Sequence, residues 1–154
     1  MKKGFTFIEL LLYLAIVGTI FSSLVPFAWE VIEGGARSAV DQEVDSSARF
    51  IMEKIKSKVR NAKSISIASL ISMTITEQDL STTTIDLLGG NIRLNAVNIN
   101  SADTMVTDLV FTDFTSAVTK QVQIRFTIIS STGQGRQEYL QTVTLESSAE
   151  IRSI

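Results

Sequence analysis

Apolar side chains fill nearly every position from Phe5 to Trp29, then thin to one residue in three or four, and then return in short alternating bursts. Each regime predicts a different element. In the middle regime Val40, Val44, Ala48, Ile51, Ile55, Val59 and Ala62 recur at steps of three and four, which marks one apolar stripe on a helix of roughly Ala36 to Asn61. After Ser64 the period changes. Ile71, Met73 and Ile75 alternate, then Ile85 and Leu87, with Gly89-Gly90 punctuating before Ile92 and Leu94, a reading of short strands joined by tight turns. Leu109 to Phe111 marks another strand. Val122, Ile124, Phe126 and Ile128 alternate cleanly with Gln121, Gln123, Arg125 and Thr127, and the last strand keeps Tyr139, Val143, Leu145, Ala149 and Ile151 in one phase. Ser131 to Arg136, STGQGR, reads as a hairpin loop, since it lacks the Lys-Ser/Thr ending and following helix of a phosphate cradle. The predicted class is α+β, a long helix packed against a four- to five-stranded antiparallel sheet.

The first regime is of membrane type. From Phe5 to Trp29 the only formal charge is Glu9, and as a helix the stretch runs about 37 Å at ~1.5 Å per residue, longer than the ~30 Å hydrocarbon core. Lys2 and Lys3 precede it, and positive flanks stay cytoplasmic, which sends the C-terminal part across the membrane. A cleavable secretory signal fits poorly, because Leu24, Val25, Pro26, Phe27 and Trp29 stand where a small-x-small cleavage site belongs. Pro26 cannot donate to the carbonyl of Ser22, so a kink or loosening is expected there, and Gly34-Gly35 forms a second weak point. Gly18 and Ser22 make a small-xxx-small pair that can let helices approach in lipid. The organisation read from these shifts is 1–4, a leader; 5–29, the apolar helix; 30–63, its amphipathic continuation; and 64–154, the sheet.

Composition narrows the function. The 154 residues are 45% hydrophobic and 19% charged, with net charge -2, which argues for no polyanionic partner. With no Cys and no His, the chain has no disulfides, thiol nucleophiles, imidazole bases or usual zinc sites. Asp103, Asp108, Asp113 and Glu146 show no EF-hand spacing. Asn98 to Asp103, NINSAD, supplies oxygens, but Asn and Asp are ordinary turn residues. No catalytic residues, metal site or cofactor are expected, and no Asn-x-Ser/Thr sequon occurs. Lys54, Lys56, Lys58, Arg60 and Lys63 cluster at the end of the amphipathic helix. Cations complement a helix C-terminus, and no aromatic residues interleave as stacking platforms, so nucleic acid is disfavoured as a partner.

Glu9 stands out against this background. An acid at the centre of a bilayer helix costs about 2.5 to 3.5 kcal/mol, less near an end, and suggests a function. A local role is available, because one turn from the helix start a carboxylate is favoured by the macrodipole. The surplus cost in lipid points instead to a partner from another chain.

The run GFTFIELLLYLAIVG, Gly4 to Gly18, resembles the prepilin leader junction of type IV pilins and pseudopilins, whose usual run is GFTLIELLVVIAIIG. Gly4, Phe5, Thr6, Ile8, Glu9, Leu10, Leu11, Ala15, Ile16 and Gly18 coincide, and Pro26 stands where the family often carries a mid-helix proline. Phe7, Tyr13, Phe21, Ser22 and Ser23 depart from it. The resemblance covers about the first 26 residues. It implies that a prepilin peptidase cuts after Gly4 and methylates the amine of Phe5, and that Glu9 pairs with the Phe5 amine of a neighbouring subunit. It also implies other pilin or pseudopilin subunits and an inner-membrane assembly platform as partners. The location implied is a single-pass bacterial cytoplasmic membrane protein with its head outside the cytoplasm, and then a periplasmic or extracellular filament. Short strands and the lack of a Cys pair resemble J-type pseudopilin heads more than disulfide-looped major pilins. The leading expectation is therefore a structural subunit, of minor or pseudopilin type, in a type IV pilus-like or type II secretion-like filament. A filament-displayed binding module for DNA uptake or adhesion is the alternative, and a membrane-tethered enzyme the third reading.

Overall fold

A computed structural model of the chain describes residues 6–116, 119–132 and 139–152. Among these residues one α-helix, α1 (Phe7–Arg60), is followed by β1 (Ala62–Ser69), β2 (Ser72–Glu77), β3 (Thr82–Leu88), β4 (Asn91–Leu94), β5 (Val97–Asn98), β6 (Thr104–Asp113), β7 (Gln121–Ser130) and β8 (Thr142–Glu150). The α+β class is as predicted. The chain divides into two compact units, Met1–Ser38 and Ala39–Ile154, and α1 contributes to both.

In the second unit α1 does what its spacing requires. Val44, Ser47, Ala48, Ile51, Met52, Ile55 and Val59 are buried along one face, and Val40 packs half-buried at its start. The last turn carries Lys58 and Arg60, cations that complement the carbonyl end of the helix. Ala62, read from spacing as the end of the helical stripe, is instead the first residue of β1, still fully buried. The helix passes through Pro26 and through Gly34-Gly35 without a break.

The strands form two antiparallel sheets, in the orders β1-β2-β3-β4-β5 and β6-β7-β8, where the spacing predicted one sheet of four or five strands. The strands read around Ile71–Ile75, Ile85–Leu87 and Ile92–Leu94 belong to the first sheet, and those around Leu109–Phe111, Val122–Ile128 and Tyr139–Arg152 to the second, so the expected single sheet is divided in two. Met73, Ile75, Ile85 and Ile92 from the first sheet and Val106, Leu109, Phe111, Val122, Ile124, Phe126 and Ile128 from the second meet the helix stripe in one core. Each fully buried side chain of this kind contributes about 1.5–3 kcal/mol by leaving water.

Local chemistry explains the meander. Gly89 and Gly90, at φ +58° and +77°, form the two-residue loop between the paired ends Leu88 and Asn91, where two positive φ values match the twist of the flanking strands. Asn95 and Ala96 do the same between Leu94 and Val97, and the Asn95 carboxamide oxygen accepts from the Thr84 N–H at 2.8 Å. The second sheet is docked by β6. The Val106 N–H donates to the Gly90 carbonyl and the Phe111 N–H to the Leu70 carbonyl, both at 2.8 Å. The tips of two hairpins of the first sheet thus cap the outer edge of the second.

Candidate functional site

The sequence singles out the start of α1, and the structure defines part of it. Gly4, Phe5 and the two lysines before them lie outside the described residues. Thr6 stands immediately before the first helical residue, with Glu9 in the first turn. This is the T-x-x-E spacing of a capping box, a signal present in the sequence. The Glu9 and Leu10 N–H groups donate to the Thr6 carbonyl at 3.1 and 3.2 Å. In return the Glu9 carboxylate accepts from the Thr6 N–H at 3.5 Å and from its hydroxyl at 3.4 Å. Both contacts are long for hydrogen bonds. The carboxylate is held loosely by its own chain, remains exposed, and keeps acceptor capacity for a stronger donor.

Beyond Glu9 the helix presents apolar surface on every side. Phe7 and Ile8 are each 76% exposed, and Leu14, Phe21, Phe27, Trp29 and Ile32 all exceed 60%. A core helix of a soluble protein would be mostly buried. The apolar first part of α1 is long and apolar enough to cross a membrane and is uncovered by its own chain. Pro26 lies within it. The hydroxyls of Ser22 and Ser23 donate one turn back, to the Thr19 and Ile20 carbonyls at 2.8 and 2.9 Å, so both are engaged upstream of the Ser22 carbonyl that Pro26 leaves without its usual donor.

The other candidates resolve into structural roles. The basic cluster is divided. Lys56 pairs with Glu53 at 3.0 Å, and Lys58 with Glu77 at 2.6 Å. Glu77 also accepts from the buried Thr83 hydroxyl at 2.8 Å, and the Lys58 ammonium, then this hydroxyl, hold its carboxyl below the usual range. The pair ties the end of α1 to the β2–β3 hairpin. In NINSAD the side-chain oxygens of Asn100 and Ser101 are engaged internally. The Asn100 amide donates to Asn91 Oδ1 at 3.0 Å and to the Thr104 carbonyl at 2.9 Å, while its own oxygen accepts from the Ile92 N–H at 3.2 Å. Asp113 accepts from the Thr115 N–H at 2.7 Å, and Glu146 from Gln123 at 2.6 Å. Among the described residues no three acids, histidines or cysteines group as a metal site. Most of STGQGR lies outside the described residues.

No family model, curated protein or solved structure matches the chain.

Proposed function

We propose that the chain is a structural subunit of a type IV pilus-like or type II secretion-like filament, of minor pilin or pseudopilin type. The observation that carries this reading is a loosely held Glu9 in the first turn of α1, five residues after Gly4 in the sequence, at the head of an apolar stretch that is exposed from Phe7 to Ile32. Lipid can cover that surface in one state and neighbouring helices in another. Lys2 and Lys3 hold the leader on the cytoplasmic side. A prepilin peptidase cuts after Gly4 and methylates Phe5, and an inner-membrane platform feeds the subunit into the filament. Glu9 then exchanges its weak contacts with Thr6 for the Phe5 amine of a neighbour. Formed out of water, such a pair is worth more than a surface ion pair, and breaking it by removing one partner costs about 3–5 kcal/mol. The second unit travels outside the cytoplasm as the filament's surface.

The DNA-binding alternative is weakened, because two of the five cations of the basic cluster, Lys56 and Lys58, are already committed to carboxylates. Coexpression with a prepilin peptidase tests the main reading. The product is expected to begin at N-methylated Phe5 by mass spectrometry, and an intact Met1 or a cut near Trp29 would sink it.

A further inference from the structure

Among the described residues, four strand edges bound the two sheets, and three carry a device against pairing with another chain. β1 has register shifts at Ala62/Ser64 and Ile67/Ser69 and an exposed Lys63. β5 has two residues. β6 is bulged between Val106 and Asp108, and its outer N–H groups at Val106 and Phe111 are spent on the hairpin tips. β8 has no such device. Its nine residues pair one for one with β7, from Ile129↔Thr142 to Gln121↔Glu150, without a shift, and they include no Pro, Gly or Lys. Apart from this pairing, no backbone hydrogen bond joins Thr142 to Glu150 to another described residue. The strand is also held at both ends. The Ser130 N–H donates to the Gln141 carbonyl at 3.0 Å, the Ile151 N–H to Lys120 at 3.0 Å and the Arg152 N–H to Arg60 at 3.3 Å. An incoming strand would meet an edge already in place.

A second observation concerns what lies beside that edge. An open cleft of about 780 Å³ borders the C-terminal half of β8 and is lined by Arg60, Gln121, Ser148, Glu150 and Arg152, among others. Neither arginine belongs to an ion pair among the described residues. On β8 itself the exposed positions include Glu146 and Glu150 and no cation. The C-terminal half of the edge therefore carries two carboxylates, Glu146 opposite Arg125 of β7 and Glu150 in the cleft beside Arg60 and Arg152.

We propose that the outer edge of β8 docks an extended segment of a different polypeptide, which adds as a fourth strand to the β6-β7-β8 sheet. In an antiparallel ladder every second residue of β8 offers both its N–H and its C=O to the newcomer. The segment that fits alternates apolar and basic residues, sets a cation opposite Glu146, and places a carboxylate in the cleft of Arg60 and Arg152. A second copy of β8 fits less well, because it brings the carboxylates of two such edges together. This assignment rests on the sheet edge and the cleft, and it stands or falls independently of the filament reading.

The test uses the full chain in detergent micelles with a ten-residue peptide of alternating Val and Lys ending in Asp. Two further versions carry backbone N-methyl groups on one or the other set of alternate residues. The unmodified peptide is expected to slow amide exchange across Thr142 to Glu150 at least tenfold. One methylated version should keep its affinity and the other lose at least tenfold. Glu146→Gln, which keeps an acceptor for Gln123, should weaken binding of the basic peptide, and Arg60→Ala with Arg152→Ala should erase the preference for Asp over Asn at the peptide end. No slowing at millimolar peptide, or equal binding by both methylated versions, would overturn the proposal. So would β8 protection that grows with protein concentration alone, since a second copy would then occupy the edge.

Discussion

Glu9 and Glu77 are both carboxylates with a threonine hydroxyl close by, yet their contacts differ in kind. Glu77 receives short bonds, 2.6 Å from Lys58 and 2.8 Å from Thr83, whereas Glu9 receives only two near 3.5 Å from Thr6. The first is a finished contact and the second an unfinished one. For Glu9, the prediction is that Glu9→Val leaves cleavage after Gly4 largely intact while incorporation into filaments falls sharply, as scored in sheared filament fractions. Normal incorporation would mean that the acid serves only its own helix start. For Glu77 the sign follows from its lowered pKa. Folding favours the ionised form, so the pair stabilises above the ordinary glutamate value of 4.5 and fades as pH falls from there through the lowered folded value. The gap in melting temperature between wild type and Glu77→Gln should accordingly be widest near pH 7 and close in acid. With 27% of the Glu77 side chain exposed, solvent keeps that gap small.

At the level of elements, β6 shows why some of the fold was legible and some was not. Val122, Ile124, Phe126 and Ile128 keep strict alternation in β7, and all four are buried, so that strand could be read directly. In β6 the buried residues are Thr104, Val106, Leu109 and Phe111, and the step of three from Val106 to Leu109 breaks the period. The register explains the break. Val106 pairs with Ile128 and Asp108 with Thr127, leaving Thr107 as the extra residue of a bulge. Only the half of β6 after the bulge was visible as a strand, and the division of the strands into two sheets was not, although β7 and β8 themselves were read. β1 escaped for another reason, since two bulges and a run of Ser and Ala leave only Ile65 and Ile67 in phase. The same register predicts that deleting Thr107 is tolerated, because Val106, Leu109 and Phe111 keep their inward phase. Deleting Val110 instead turns Phe111 outward and should cost about 3–5 kcal/mol, on the scale of losing a buried Phe. Chemical denaturation of the two deletion variants separates these outcomes.

For the molecule as a whole, the division of labour was written plainly. Uninterrupted apolarity in the first unit and a single stripe followed by alternation in the second are different solutions to burying hydrophobic surface, one by an outside medium and one by the chain itself. The candidate site was legible to the same degree. Glu9 stood out because a charge in an apolar run is costly, whereas its partner Thr6 went unnoticed, since a hydroxyl at that position carries no comparable penalty. The β8 edge could not have been found from sequence, because openness is a property of what the other strands leave uncovered. The order of the strands has one more consequence. Every ladder in both sheets joins neighbours in sequence, so a chain made from its N-terminus could complete the first sheet before β6 emerged. By then Gly90 and Leu70 would already be in place as acceptors, and the vulnerable edge of β6 would be covered as it formed, with no interval in which it waits for a partner.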